Sequence, residues 1–194
     1  MVSQIKVNEI IKQSGSSISI GESGDTINVS GSALTQGITN AEQWALDSDQ
    51  AISSANTDTL LSGFSRRTNN GTTNIDTIVS SSSGTFSFSA TGKYLINYFA
   101  YYERTNHLIQ YAGAKIKFTT DNSTYNDIVQ QFTNIQDTAG AHGATVNQAI
   151  LDISDTTNCK VRFYMQISDA SAVTAGGNST KGLTYVNFIR IGDT

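Results

Sequence analysis

Two histidines, one cysteine and sixteen carboxylates are the groups in these 194 residues that could support bond chemistry. His107 and His142 lie 35 positions apart, far from the close His pairing that ligates zinc. Cys159 opens an alternating apolar stretch, a setting that predicts a buried, inert thiol. It leaves no partner for an intrachain disulfide. A glycosidase needs two facing carboxylates, and no pair stands out among acids that fall mostly in turn-like segments. Asp47, Asp49, Asp152 and Asp155 could offer oxygen ligands to calcium, and turn chemistry explains them equally well. The expectation is a protein with no catalytic residues, no metal and no cofactor.

Chemistry of recognition is better represented. Three segments read as loops that could meet a ligand: Tyr101 to Tyr111, Asn134 to Thr145, and Ser168 to Lys181. In the first, Tyr102, Arg104 and His107 combine aromatic faces that stack on sugar rings with a guanidinium fork for hydroxyls and carboxylates. The alternative for the tyrosines is that they cover a core or a subunit seam. Four Asn-x-Ser/Thr sequons, at Asn28, Asn70, Asn122 and Asn178, carry little meaning without an export signal.

Composition narrows the partners. The net charge is −4 and the pI near 5.0, and Arg66-Arg67 is the only adjacent basic pair, read as a solvated loop. Nucleic-acid binding, which needs a basic footprint, is not expected. Residues 1–10 contain no continuous apolar run for a signal peptide, and no stretch approaches ~20 apolar residues. Only 14% of residues are charged, so the polar surface comes from Ser, Thr, Asn and Gln. There is no proline.

The elements that must position these groups are strands. Cys159, Val161, Phe163, Met165 and Ile167 alternate with polar partners up to Ser168, and Ala114, Ile116 and Phe118 alternate with Lys115, Lys117 and Thr119. That is the period-two pattern of a half-buried strand. Phe86 and Phe88 share a face. Lys93 to Glu103 and Leu183 to Ile191 are apolar on both faces, which predicts central strands covered on both sides. Turn signals separate these runs, among them Asn69-Asn70-Gly71, Ser81-Ser82-Ser83-Gly84 and Ala175-Gly176-Gly177-Asn178-Ser179. Thr39 with Glu42 has the spacing of a capping box, for a helix of one turn at most. The sum is a β-sandwich over 39–194.

Residues 1–38 differ in texture. Ile18-Ser19-Ile20 and Ile27-Asn28-Val29 repeat at a nine-residue offset, each placing two apolar residues on one face. One strand pair cannot bury that face alone. Three copies around an axis would, with Ile18, Ile20, Ile27 and Val29 forming a trimeric stalk core.

The segments Ile38-Thr39-Asn40-Ala41-Glu42-Gln43-Trp44, Ser83-Gly84-Thr85-Phe86-Ser87-Phe88, Thr91-Gly92-Lys93-Tyr94-Leu95-Ile96, Thr120 to Tyr125, Asp152 to Thr156 and Thr184 to Thr194 occur in an order that carries a resemblance. It resembles the jelly-roll head of the tumour necrosis factor and complement-head superfamily, in the form found at the C-terminus of structural proteins of marine tailed phages. The resemblance implies an antiparallel jelly roll, preceded by a short β stalk or arm and assembled as a homotrimer. It implies Tyr94, Tyr98, Tyr185 and Phe188 as candidates for the head interface, the alternative being the monomer core. The implied role is a virion-surface protein of the short tail fibre or spike type, made in the host cytoplasm. Its N-terminal arm would dock on other virion proteins and its head would touch a host glycan or protein, without membrane insertion. A capsid decoration protein is the alternative, and a soluble carbohydrate-binding lectin a second.

Overall fold

The computed structural model describes residues 38, 40–68, 71–105, 109–136, 138–170 and 173–194. The stalk residues Ile18, Ile20, Ile27 and Val29 lie outside them, as do Thr39 and His107.

Among the described residues thirteen strands form two antiparallel sheets: β1 Ala41–Leu46, β2 Gln50–Ile52, β3 Thr59–Leu60, β4 Phe64–Arg66, β5 Val79–Ser82, β6 Thr85–Phe88, β7 Gly92–Arg104, β8 Ala112–Thr119, β9 Asn126–Thr133, β10 His142–Ile153, β11 Lys160–Ile167, β12 Val173–Ala175 and β13 Tyr185–Gly192. The first sheet runs β4-β1-β13-β7-β10, with β12 pairing the far end of β7 and β2 pairing β12. The second runs β5-β6-β11-β8-β9, with β3 on the edge of β11. No helix occurs among the described residues. Glu42, expected near a helix start, is instead a strand residue of β1.

The core lies between the sheets, where period-two alternation sends every second side chain. Val161, Phe163, Met165 and Ile167 of β11 are fully buried, as is Cys159 just before it. Phe86 is the hub of an aromatic cluster, its ring 5.2–5.6 Å from those of Trp44, Phe64, Phe163 and Phe188. Edge-on and tilted pairs of this kind are the favoured aromatic geometries.

The β5–β6 hairpin turns on Ser83 and Gly84, both at positive φ (48° and 79°), the signature of a two-residue type I′ turn. A Cβ on Gly84 would lie 2.3 Å from the Leu61 carbonyl oxygen, so the turn also packs against the chain entering from β3.

Two polar side chains lock β1 in place. The Glu42 carboxylate is buried and accepts from Trp44 Nε1 (2.7 Å), Ile78 N (2.5 Å) and Val79 N (3.3 Å), with Arg66 Nε at 3.3 Å. Arg67, read from sequence as solvated, is 95% buried. It donates to the carbonyls of Leu46, Asn178 and Ser179 and to Asp47, tying the 176–181 loop to β1 and β4. Local sequence gave no sign of this, because two of the four acceptors, the Asn178 and Ser179 carbonyls, come from over a hundred residues away.

Candidate functional site: an unpaired face of the first sheet

Strand β7 was expected to be covered on both sides, and the described residues cover only one. Tyr94, Ile96, Tyr98, Ala100, Tyr102 and Arg104 point into the core and are buried, while Leu95, Asn97, Phe99 and Tyr101 point outward and stay half-exposed. Strand pairing places neighbours beside each outward residue. Phe99 lies between Val146 of β10 and Tyr185 of β13. Asn97 lies between Gln148 and Asn187, with Gln43 of β1 next beyond. Leu95 lies between Ile150 and Ile189, with Ala41 beyond.

The outward face is therefore built of transverse rows, an aromatic-apolar row, an amide row and an aliphatic row. Phe99 and Tyr185 stack with ring centroids 4.8 Å apart and planes 6° from parallel. The amide row bonds to itself, Gln148 Nε2 to Asn97 Oδ1 (2.5 Å) and Gln43 Nε2 to Asn187 Oδ1 (3.0 Å). None of these three rows holds a charge. Charge returns only in the rows beyond, at Lys93 opposite Asp152 and at Glu103 opposite His142.

Strand β10 shows most clearly that this face is unusual. Its inward positions include Thr145 and Asn147, both buried, and its outward positions include Val146 and Ile150, 44% and 65% exposed. Thr145 bonds the Tyr102 hydroxyl and Asn147 Nδ2 donates to the Ala114 carbonyl, while Asn147 Oδ1 is buried without a partner. A strand with apolar residues toward solvent and polar ones toward the core is informative where a lone exposed Ile is not.

Beside the amide and aliphatic rows, on the β1 flank, is a hollow of about 240 Å³ lined by Ala41, Glu42, Gln43, Thr72, Thr73, Asn187 and Ile189.

The residues singled out from sequence fall as follows. Tyr94, Tyr98 and Phe188, offered as head-interface residues, are fully buried inside the monomer. Tyr94 donates to the Ala90 carbonyl, Tyr98 to the Tyr164 carbonyl, and Phe188 packs on Phe86 and Phe163. They sit on the inward parity of β7 and β13, so they belong to the core. Burial pushes the Tyr98 and Tyr102 hydroxyls up, so both stay protonated. Tyr185 has the outward parity. Tyr102 and Arg104, offered as ligand contacts, are buried ends of β7 rather than loop residues; Arg104 donates to the Gln136 carbonyl. The segments Tyr101–Tyr111, Asn134–Thr145 and Ser168–Lys181 are partly strand, in β7, β10 and β12 respectively. His142 begins β10, where its Nδ1 is 2.7 Å from the Tyr101 hydroxyl. Leu95, Phe99, Val146 and Ile150 were not singled out. For Leu95 and Phe99 the available signal was the odd-numbered parity of 95–101, apolar or aromatic at every position but Asn97; Val146 and Ile150 of β10 had no such signal.

Carboxylates serve turns and ion pairs. Asp155 accepts from Thr157 N, Asp49 from Gly177 N and Asp47 from Ser65 Oγ. Among the described residues no group of three or more His, Cys, Asp or Glu converges as a metal site would require.

The outward face of the second sheet contrasts with the first. Lys115 and Lys117 meet Asp58 at 2.8 and 2.6 Å and Asp127 at 3.6 and 3.0 Å, a self-neutralising square. Burial raises the Asp58 carboxyl, and the two lysines beside it outweigh that and hold it below the ordinary value of 3.8. A depressed folded pKa gives stability that is complete above the unfolded value and lost as pH falls through the folded one. The stability difference between the wild type and Asp58→Asn should thus be constant above about pH 5 and shrink below it, read from denaturant titrations at stepped pH.

No family model matches the chain, and no curated protein matches it. Solved structures do. Murine APRIL superposes with a TM-score of 0.55 at 8% identity, over 78% of this chain and 98% of that one. The Eiger TNF of S. frugiperda superposes with a TM-score of 0.55 at 11% identity, over 79% and 93%. The fold is a tumour necrosis factor-like jelly roll, the architecture that the sequence resemblance implied.

Proposed function

We infer that this protein is a homotrimeric surface component of a virion, of the tail fibre or spike type, with a binding or structural role rather than a catalytic one. The observation that carries the assembly is the uncharged outward face of the first sheet, with Val146 and Ile150 exposed above buried Thr145 and Asn147. Covering that face with two more copies removes the apolar rows from water at ~25 cal/mol per Å². The tumour necrosis factor-like fold and the apolar repeat at Ile18, Ile20, Ile27 and Val29 support the same assembly. The virion placement is supported by the ordered segments from Ile38 to Thr194 that resemble phage head domains, and by a surface rich in neutral hydroxyls and amides.

Light scattering on the full-length protein should give three times the 20.8 kDa chain mass. Phe99→Asp should shift it to the monomer at micromolar concentration, because a carboxylate in a dry interface costs several kcal/mol. A monomeric wild type would refute the assembly. Protein mass spectrometry of purified particles tests the placement. A few copies per particle fit a fibre, hundreds a decoration protein, and none would end the virion reading.

A further inference from the structure

The outward face is asymmetric in a way that dictates how copies meet. Its β10 flank is a ridge carrying Ile150, the most exposed large apolar side chain of the fold, with Val146 and Gln148 beside it. Its β1 flank is the hollow lined by Ala41, Glu42, Gln43, Thr72, Thr73, Asn187 and Ile189. Ridge and hollow lie at opposite ends of the same rows, since Ile150 and Ala41 belong to the aliphatic row and Gln148 and Gln43 to the amide row.

Rotation about an axis running along the strands moves a residue around the axis without changing its height. In a three-fold ring, each row therefore meets its own kind in the next copy. Aliphatic meets aliphatic, amide meets amide, and the charged rows at Lys93/Asp152 and Glu103/His142 stay level with each other. A two-fold contact of ridge against ridge would leave every hollow empty. A head-to-tail contact fills each hollow with the neighbour's ridge and closes when the rotation does.

We propose that Ile150 of each copy enters the hollow between β1 and the 72–73 segment of the next copy, with Gln148 extending the neighbour's amide row through Gln43. The occupant of the hollow is thus a second copy of this chain. This rests on the trimeric reading above and adds to it a direction and a residue-level contact. The amide row then acts as the register mark. A slip by one row would set Gln148 and Gln43 against aliphatic partners and leave their amides unpaired, which is costly in a dry seam.

Within one copy, Ala41 and Ile150 are three strands apart, about 14 Å at ~4.8 Å per strand. That exceeds the reach of a disulfide. Any bond between cysteines at these positions is therefore between copies. Cys159 is buried and takes no part.

The test is Ala41→Cys with Ile150→Cys in the full chain, mildly oxidised and run without reductant, beside light scattering of the wild type. The double variant should give covalent trimers as its largest species, because each copy carries one ridge and one hollow cysteine. The two single variants co-expressed should give covalent dimers and nothing larger, and each alone should stay uncrosslinked. Gln43→Cys with Gln148→Cys, one row along, should repeat the pattern and serves if the first pair folds poorly. A trimeric wild type whose double variants do not crosslink would overturn this contact and leave the trimer standing. So would dimers from Ile150→Cys alone, which place ridge on ridge. A monomeric wild type overturns both.

Discussion

Glu42→Ala should destabilise the fold by about 3–5 kcal/mol, the cost of breaking a buried charged network by removing one partner. The carboxylate satisfies the indole of Trp44 and two consecutive backbone amides, Ile78 and Val79, and its own side chain has no exposure to water. Deletion leaves these donors buried without acceptors and strips Arg66 of its counter-charge. At ~2–4 °C per kcal/mol for a protein of this size, the melting temperature should fall by about 6–20 °C. Glu42→Gln keeps the volume but turns an amide nitrogen toward a donor, so it should recover only part of the loss. Arg66→Gln, which leaves the carboxylate and its three N–H donors in place, should cost far less. Equal losses for Arg66→Gln and Glu42→Ala would mean that the ion pair, rather than the hydrogen bonds to β1's neighbours, carries the stability. The comparison must be made at matched protein concentration, since association stabilises the folded state by mass action.

Phe86→Ala should cost a similar amount, about 3–5 kcal/mol, for a different reason. The ring touches four others drawn from β1, β4, β11 and β13, so its loss opens a void where both sheets meet and removes four aromatic pairs at once. Phe88→Ala makes the contrast. Phe88 sits near the edge of the same cluster, against Tyr94 and Phe188, and should cost less. Chemical denaturation with the slope held common to all variants reads both differences. A Phe86 variant no weaker than the Phe88 variant would show that the cavity collapses.

Strands whose inward and outward positions differ in chemistry were legible from sequence. β11 was expected at 159–168 and occupies Lys160–Ile167, because Val, Phe, Met and Ile alternate there with Arg, Tyr and Gln. The jelly roll itself was legible through the order of its motifs. β7 was legible as a strand and misread in its faces. Apolar residues on both parities imply two covers, and the described residues supply one. β10 was not legible at all, because Thr145 and Asn147 take the inward positions and Val146 and Ile150 the outward ones. Three of the four head-interface candidates, Tyr94, Tyr98 and Phe188, fall on the inward parity and are buried in the monomer, and Tyr185 falls on the outward one. Tyr94, Tyr98 and Phe188 are bulky aromatic residues, and bulk fits a core as readily as a seam. Arg67 and Glu42 were missed because their roles depend on partners far along the chain.

The position of β13 has a consequence for how the protein is made. β13 lies between β7 and β1, pairing Tyr185 with Phe99 on one side and Ala41 with Ile189 on the other. A nascent chain that has emerged only as far as residue 184 holds the two halves of its first sheet with the space between them unfilled. β7 can pair β10 and β1 can pair β4, but the edges of β1 and β7 that β13 joins then face a gap one strand wide. The first sheet therefore cannot close until β13 has emerged from the ribosome. A ribosome stalled before β13 presents quality-control factors with an open, strand-hungry edge, which closes in one step when residues 185–192 come free.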